Sequence, residues 1–152
     1  MQISSRFTIA IHIFTCVEVF KEDYSVTSDF LSGSINVNPV VIRRILQQLT
    51  SAGLIEVKRG KGGGISVKKP LDEISFYDIY KAVECIDNGE LFHFHDNPNP
   101  ECPVGRNIHA ILDSELSDIQ TAMENSMRQK TIADVVKSAK KRIEEKNRNE
   151  IK

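Results

Sequence analysis

The chain has no tryptophan, and its three cysteines, Cys16, Cys85 and Cys102, are an odd number at no metal-ligand spacing. That usage argues against a disulfide framework and suits a reducing compartment. No apolar run in the 152 residues approaches the ~20 needed to cross a bilayer. The N-terminus also lacks a basic region followed by an uninterrupted apolar stretch and a cleavage site, so the expected location is the cytoplasm. Catalytic signatures are missing as well: there is no nucleophile elbow, no His-Glu-x-x-His and no pair of carboxylates on a recognisable scaffold. An enzyme is not expected. The length allows one domain of ordinary size with an extension, but not two full domains.

What is present is asymmetric in charge. The net charge of −1 conceals a basic first part, with nine lysines and arginines against five carboxylates through Pro70, and an acidic remainder. A polyanion partner for the first part follows on electrostatic grounds. Within it, Asn38 and Pro39 open a helix whose apolar stripe is Ile42, Ile45, Leu46 and Leu49, and Gly53 closes it. The opposite face carries Val40, Arg43, Arg44, Gln47 and Gln48, side chains suited to base edges and phosphates rather than to a core. Two β-prone runs follow, Leu54 to Lys58 and Ile65 to Lys68, joined by Arg59-Gly60-Lys61-Gly62-Gly63-Gly64. A nucleotide-binding loop would run from strand to helix; these glycines lead into a strand and suit a basic wing at a minor groove.

Upstream, Ile3 to Phe20 is apolar nearly all round and reads as a buried helix, with His12 a satisfied core or interface histidine and Cys16 a small buried hydrophobe. Ser4, Ser5 and Arg6 at its start could hold a phosphate or simply cap the helix. Tyr24 to Ser34 offers a Thr27 or Ser28 cap and one short helix ending near Gly33. Short helix, tight turn, second helix and hairpin make a winged helix-turn-helix. The expected fold is mostly α with a small β-hairpin wing. Its DNA-facing set is Ser5, Arg6, Asn38, Val40, Arg43, Arg44, Gln47, Lys58, Arg59 and Lys61.

The order Val26 to Leu31, Val37-Asn38-Pro39, Leu49-x-x-x-Gly53-Leu54-Ile55, Arg59-Gly60-x-Gly62-Gly63-Gly64, Ile74-Ser75 and Ala82-Val83-Glu84 resembles the Rrf2 family of bacterial winged-helix regulators, from Ile3 to about Ala139. The resemblance implies a homodimer on double-stranded DNA, commonly a repressor. It also implies that the second helix of the motif reads a major groove through Val40, Arg43, Arg44 and Gln47 while Arg59 enters a minor groove. Val41 stands where family members often carry tyrosine, which bears on operator sequence rather than on DNA binding.

Ser75 to Asp78 form a reciprocal cap for the next helix, with Phe76, Ile79, Tyr80 and Val83 facing inward. Family members that sense through an iron–sulfur cluster keep three closely spaced cysteines in the loop that follows. Here only Cys102 occupies such a position, so a cluster is not expected. The loop leaves other signals open. Cys102 precedes a helix N-terminus, which favours a thiolate and an oxidant signal, against an unreactive cysteine holding the loop. A small molecule could enter a pocket lined by Phe92, Phe94 and Tyr80. No metal is expected; were one to bind, His93 and His95 are the candidate ligands, against the plainer reading that they pack a half-buried surface. A metal-binding or protein-interaction winged-helix module using His93, His95 and Cys102 is the alternative to a DNA-binding regulator.

Val104 to Met127 reads as one long helix whose stripe, Ile108, Ile111, Leu112, Leu116, Ile119, Met123 and Met127, exceeds what so small a domain can bury. Its economical partner is its own copy, a two-fold dimer over an inverted repeat. A short helix from Thr131 to Ala139 would pack on that dimer, and Lys140 onward is a charged solvated helix or tail. The expected organisation is therefore residues 1–84 for DNA, 85–103 for sensing, 104–139 for dimerisation and 140–152 as tail.

Overall fold

The computed structural model describes residues 4–84 and 90–150; Ile3, Cys85 and the rest of 85–89 lie outside the described residues. The first helix, α1 (Ser5–Phe20), lies at the centre: Phe7, Ala10, Ile13, Phe14, Cys16 and Val17 are buried. It packs against the three helices that follow it, the second strand of the hairpin and the last helix. Its burial is not all round. Ile9 and Ile11 are only partly buried and His12 is exposed, so His12 is not a core histidine: it falls on a strip of α1 left uncovered by the described residues.

α2 (Ser28–Ile35) starts where the Thr27 hydroxyl accepts from the Phe30 amide at 3.2 Å. It ends at Asn36, which takes the left-handed conformation (φ 57°) that reverses the chain. α3 (Pro39–Ser51) follows at once, capped by Asn38 Oδ1, which accepts from the Val40 amide at 2.8 Å, with proline at its first position. Its stripe of Ile42, Ile45, Leu46 and Leu49 is buried as the spacing requires. At its end Gly53 (φ 72°) donates to Thr50 O, and Leu54 donates to Leu49 O at 3.1 Å. This paired closure turns the chain directly into the hairpin.

The hairpin is β1 (Ile55–Lys58) antiparallel to β2 (Gly64–Val67), in register Ile55 with Val67 and Lys58 with Gly64. A single turn of 3₁₀-helix (Leu71–Glu73) leads to α4 (Phe76–Val83), whose capping box is complete: the Ser75 hydroxyl accepts from the Asp78 amide and the Asp78 carboxylate accepts from the Ser75 amide. Ile79, Tyr80 and Val83 are buried and Phe76 partly so, as the pattern predicts.

Two elements differ from expectation. The long helix does not begin at Val104: a separate 3₁₀ turn (Gly105–Asn107), held by the Asn107 amide group donating to Pro103 O at 2.7 Å, precedes α5 (Ile108–Arg128). The last helix, α6 (Ile132–Glu150), is longer than a segment ending at Ala139, and its apolar start packs on α1 of its own chain. Ile132 and Val136 are in the core. Backbone bonds fix that docking, with Phe76 N–H donating to Lys130 O at 2.9 Å and Ile132 N–H to Ile74 O at 3.0 Å. From Lys140 the helix continues exposed, with Lys141–Glu145 and Lys146–Glu150 pairs of the i,i+4 kind. If α6 closes the core in this way, Ile132→Ala lowers stability by about 2–5 kcal/mol in urea unfolding. Ile143→Ala, 43% exposed on the same helix, changes it by no more than about 0.5 kcal/mol.

Candidate nucleic-acid interface

Because the apolar stripe of α3 is spent on the core, its other face is presented to solvent: Val40, Arg43, Arg44 and Gln47 are exposed. The wing stands beside that face and is held there. The Ser25 hydroxyl donates to the Gly63 carbonyl, and the Ile65 amide donates to Val26 O at 2.9 Å. Gly63 permits the tight return, since a Cβ at this position would run into the Lys58 carbonyl oxygen and lie 2.9 Å from that of Gly60. α3, the wing and the chain entering α2 thereby line one groove of about 880 Å³. Arg43, Gln47, Lys58 and Arg59 share it with Ser25, Thr27 and Ser28, and none of its lining residues is a carboxylate.

The remaining predicted residues are arranged differently. Val40, Arg44 and Lys61 are exposed but do not line the groove. Asn38 uses its side-chain oxygen as the α3 cap. Ser5 is exposed at the start of α1, while Arg6 donates from Nε to Ser4 Oγ (3.3 Å), which itself donates to Glu84 Oε1 at 2.7 Å. Two residues of this surface escaped the sequence reading: Ser25, which fastens the wing, and Asp29, whose carboxylate pairs with Arg43 at 3.2 Å. Both act across elements, so no local pattern signals them.

Beyond α4 the loop packs on α5. The Leu91 amide donates to Gln120 Oε1 at 3.0 Å, and Gln120 Nε2 donates to Glu124 Oε1. Phe92 and Phe94 are half-buried while His93 and His95 are exposed, the alternation of an extended run. Phe94 lies against His109, with ring centroids 3.9 Å apart. A pocket of about 430 Å³ opens there between Phe92, Phe94, His109, Asp113 and Glu124. Tyr80 is not part of it. It belongs to the core, edge-on to Phe7 at 6.2 Å, because α4 directs it toward α1. Iron would need several converging thiolate, imidazole or carboxylate ligands, and among the described residues no three of His, Cys, Asp and Glu are so placed. No helix among the described residues is long and apolar enough to cross a membrane.

A family model described as "Rrf2: Iron-dependent Transcriptional regulator" matches residues 3–138. The chain belongs to the Rrf2 family. YwnA of Bacillus subtilis (strain 168), named as an HTH-type transcriptional regulator, is 39% identical over 134 residues, which are 88% of this chain and 96% of YwnA. A crystal structure described as that of a DNA-binding protein is 34% identical, covering 86% of this chain and 97% of its own with a TM-score of 0.65. CymR (YrzC), the global cysteine regulator of B. subtilis, shares the fold at 17% identity, with a TM-score of 0.68 over 91% of this chain and 98% of CymR. The protein is thus a DNA-binding transcriptional regulator with a winged-helix fold, and not an enzyme.

In this Rrf2 chain the two described thiols have opposite chemistry. Cys16 is buried against Ser34 (3.4 Å), and burial pushes its pKa up. Cys102 is exposed, and the backbone N–H groups of Gly105 and Val104 aimed at its sulfur pull its pKa below that of an ordinary thiol. A depressed pKa means that the thiolate, the reactive form, is populated at lower pH. Alkylation by iodoacetamide, followed site by site by peptide mass spectrometry, is expected to rise and level off at lower pH for Cys102 than for a free thiol, with Cys16 protected until the chain unfolds.

Proposed function

We propose that the protein is a homodimeric repressor that binds an inverted repeat, with α3 in the major groove and the wing in the adjacent minor groove. The observation that carries this reading is the shared groove in which Arg43 and Gln47 of α3 face Lys58 and Arg59 of the wing without a carboxylate among its lining residues. Arg43 and Gln47 have the donors to read base edges, and Lys58, Arg59 and Lys61 the charge to hold phosphates or a narrow minor groove. Ser5, Arg6 and Arg44 add backbone contacts at the edge.

Dimerisation is supported by α5, which has no buried residue among its 21, with Ile111 54% and Ile119 56% exposed beside Leu112. A second copy of the same stripe covers it in an isologous interface. In this organisation residues 1–84 bind DNA, 85–103 receive the signal and 104–139 hold the dimer, while the first turn of α6 also closes the DNA-binding core. The signal acts through the loop, either on the Cys102 thiolate or in the pocket beside Phe92 and Phe94, and neither route uses iron or a cluster.

The test is a footprint of the dimer on the promoter of its own gene, reduced and after mild thiol oxidation. Protection of an inverted repeat is expected, lost on oxidation in the wild type and retained in Cys102→Ser. Protection indifferent to oxidation would move the signal to the pocket. Arg59→Ala is expected to weaken binding about tenfold or more at moderate salt, and unchanged affinity would remove the wing from the interface. Ile119→Asp is expected to give a monomer in sedimentation and to lose the inverted-repeat footprint.

A further inference from the structure

The Arg43–Asp29 pair calls for an explanation that stability does not provide. Nη2 of Arg43 lies 3.2 Å from Asp29 Oδ1, with the side chains 58% and 79% exposed. A pair so open to solvent contributes little to folding. Asp29 also stands at the start of α2, on the side of the molecule that carries the groove, where a carboxylate would repel phosphates. What it does geometrically is to tie the one arginine of α3 that lines the groove to a second helix.

A guanidinium is a planar fork, and fixing one of its nitrogens fixes the direction of the others. Nη2 carries two protons. With Asp29 on the Nε side of Nη2, the other Nη2 proton and one of Nη1 are left parallel at the end of the fork. That is the donor pair which matches the O6 and N7 acceptors of guanine in a major groove, whereas adenine offers a donor at the corresponding edge. Arg44 on the same helix has no ion-pair partner among the described residues and can follow the nearest phosphate instead.

We propose that Asp29 is a specificity-determining positioning residue: by holding the Arg43 guanidinium it directs that arginine to one guanine in each half-site. The inference rests on the reading that α3 enters the major groove. It makes the carboxylate a contributor to selectivity rather than to affinity, since its removal weakens no attraction to phosphate.

The experiment is selection of bound sites from randomised duplex DNA by the full-length protein, reduced, as wild type, Asp29→Ala, Asp29→Glu and Arg43→Ala, followed by binding isotherms on the selected site and on its guanine-to-adenine variant. Wild type is expected to enrich one guanine per half-site, and Arg43→Ala to lose that preference. Asp29→Ala is expected to reduce discrimination between the two duplexes about tenfold while binding unrelated duplex at least as well as wild type. Asp29→Glu, which restores a carboxylate, is expected to recover the preference. Thermal unfolding of each variant separates these effects from any loss of the negative charge at the α2 N-terminus, which would lower stability without altering which base is chosen. A guanine preference unchanged in Asp29→Ala overturns the proposal while leaving α3 as the reading helix. Selection of no site by the wild type overturns that reading and the proposal together.

Discussion

The burial of α1 is the constraint from which the arrangement of the other elements follows. Phe14, Ile13, Ala10 and Val17 have almost no exposed surface, and the helix reaches that state only with α2, α3, α4, β2 and α6 all laid on it. Burial of whole apolar side chains is worth ~1.5–3 kcal/mol each, far more than any surface pair in the chain. α3 has one apolar stripe to offer to this core. Once Ile42, Ile45, Leu46 and Leu49 are committed to it, Arg43 and Gln47 must face away. The outward display of polar side chains is a by-product of inward packing.

The wing depends on the same packing at one remove. The closure of α3 at Gly53 sets the direction in which β1 leaves, and the bonds from Ser25 and Ile65 bring β2 back beside the start of α2. Neither strand is long, and a two-stranded hairpin by itself is marginal in water. Anchored at both its base and its return, it holds Lys58 and Arg59 next to α3, so that charge contributed by separate segments converges in one groove.

At the other end, α4 and α6 are entered side by side through the Ser75–Thr131 bridge, and α5 leads into that junction. Arg128 lies 3.8 Å over the Tyr77 ring of α4 and pairs with Glu124, which Gln120 connects to the Leu91 amide of the loop. α4 in turn packs on α3. The loop and α3 are therefore joined by contiguous contacts, while the exposed stripe of α5 lies outside them.

The sequence alone determined what depends on neighbours along the chain: the cap at Asn38, the stop at Gly53, the capping box at Ser75, the inward stripe of α3 and the glycine turn of the wing. Helix periodicity and capping are local in their physics, so residue spacing reports them directly. The candidate interface was legible to the same extent, since Arg43, Gln47, Lys58 and Arg59 stand out as polar or basic residues with no core role. What depends on contact between distant segments was decided only by the tertiary structure. His12 turned out exposed because the packing partners of α1, not its own pattern, choose which flank is covered, and Tyr80, inward as its spacing requires, met α1 rather than the loop pocket. Ile132 and Val136 joined the core because α6 returns to α1, an outcome that an apolar pattern matching either an internal or an intermolecular partner cannot distinguish. The hold of Ser25 on the wing and of Asp29 on Arg43 is likewise set by the fold, because a hydrogen bond requires its two groups within about 3 Å and aligned, and separation along the chain carries no record of that distance.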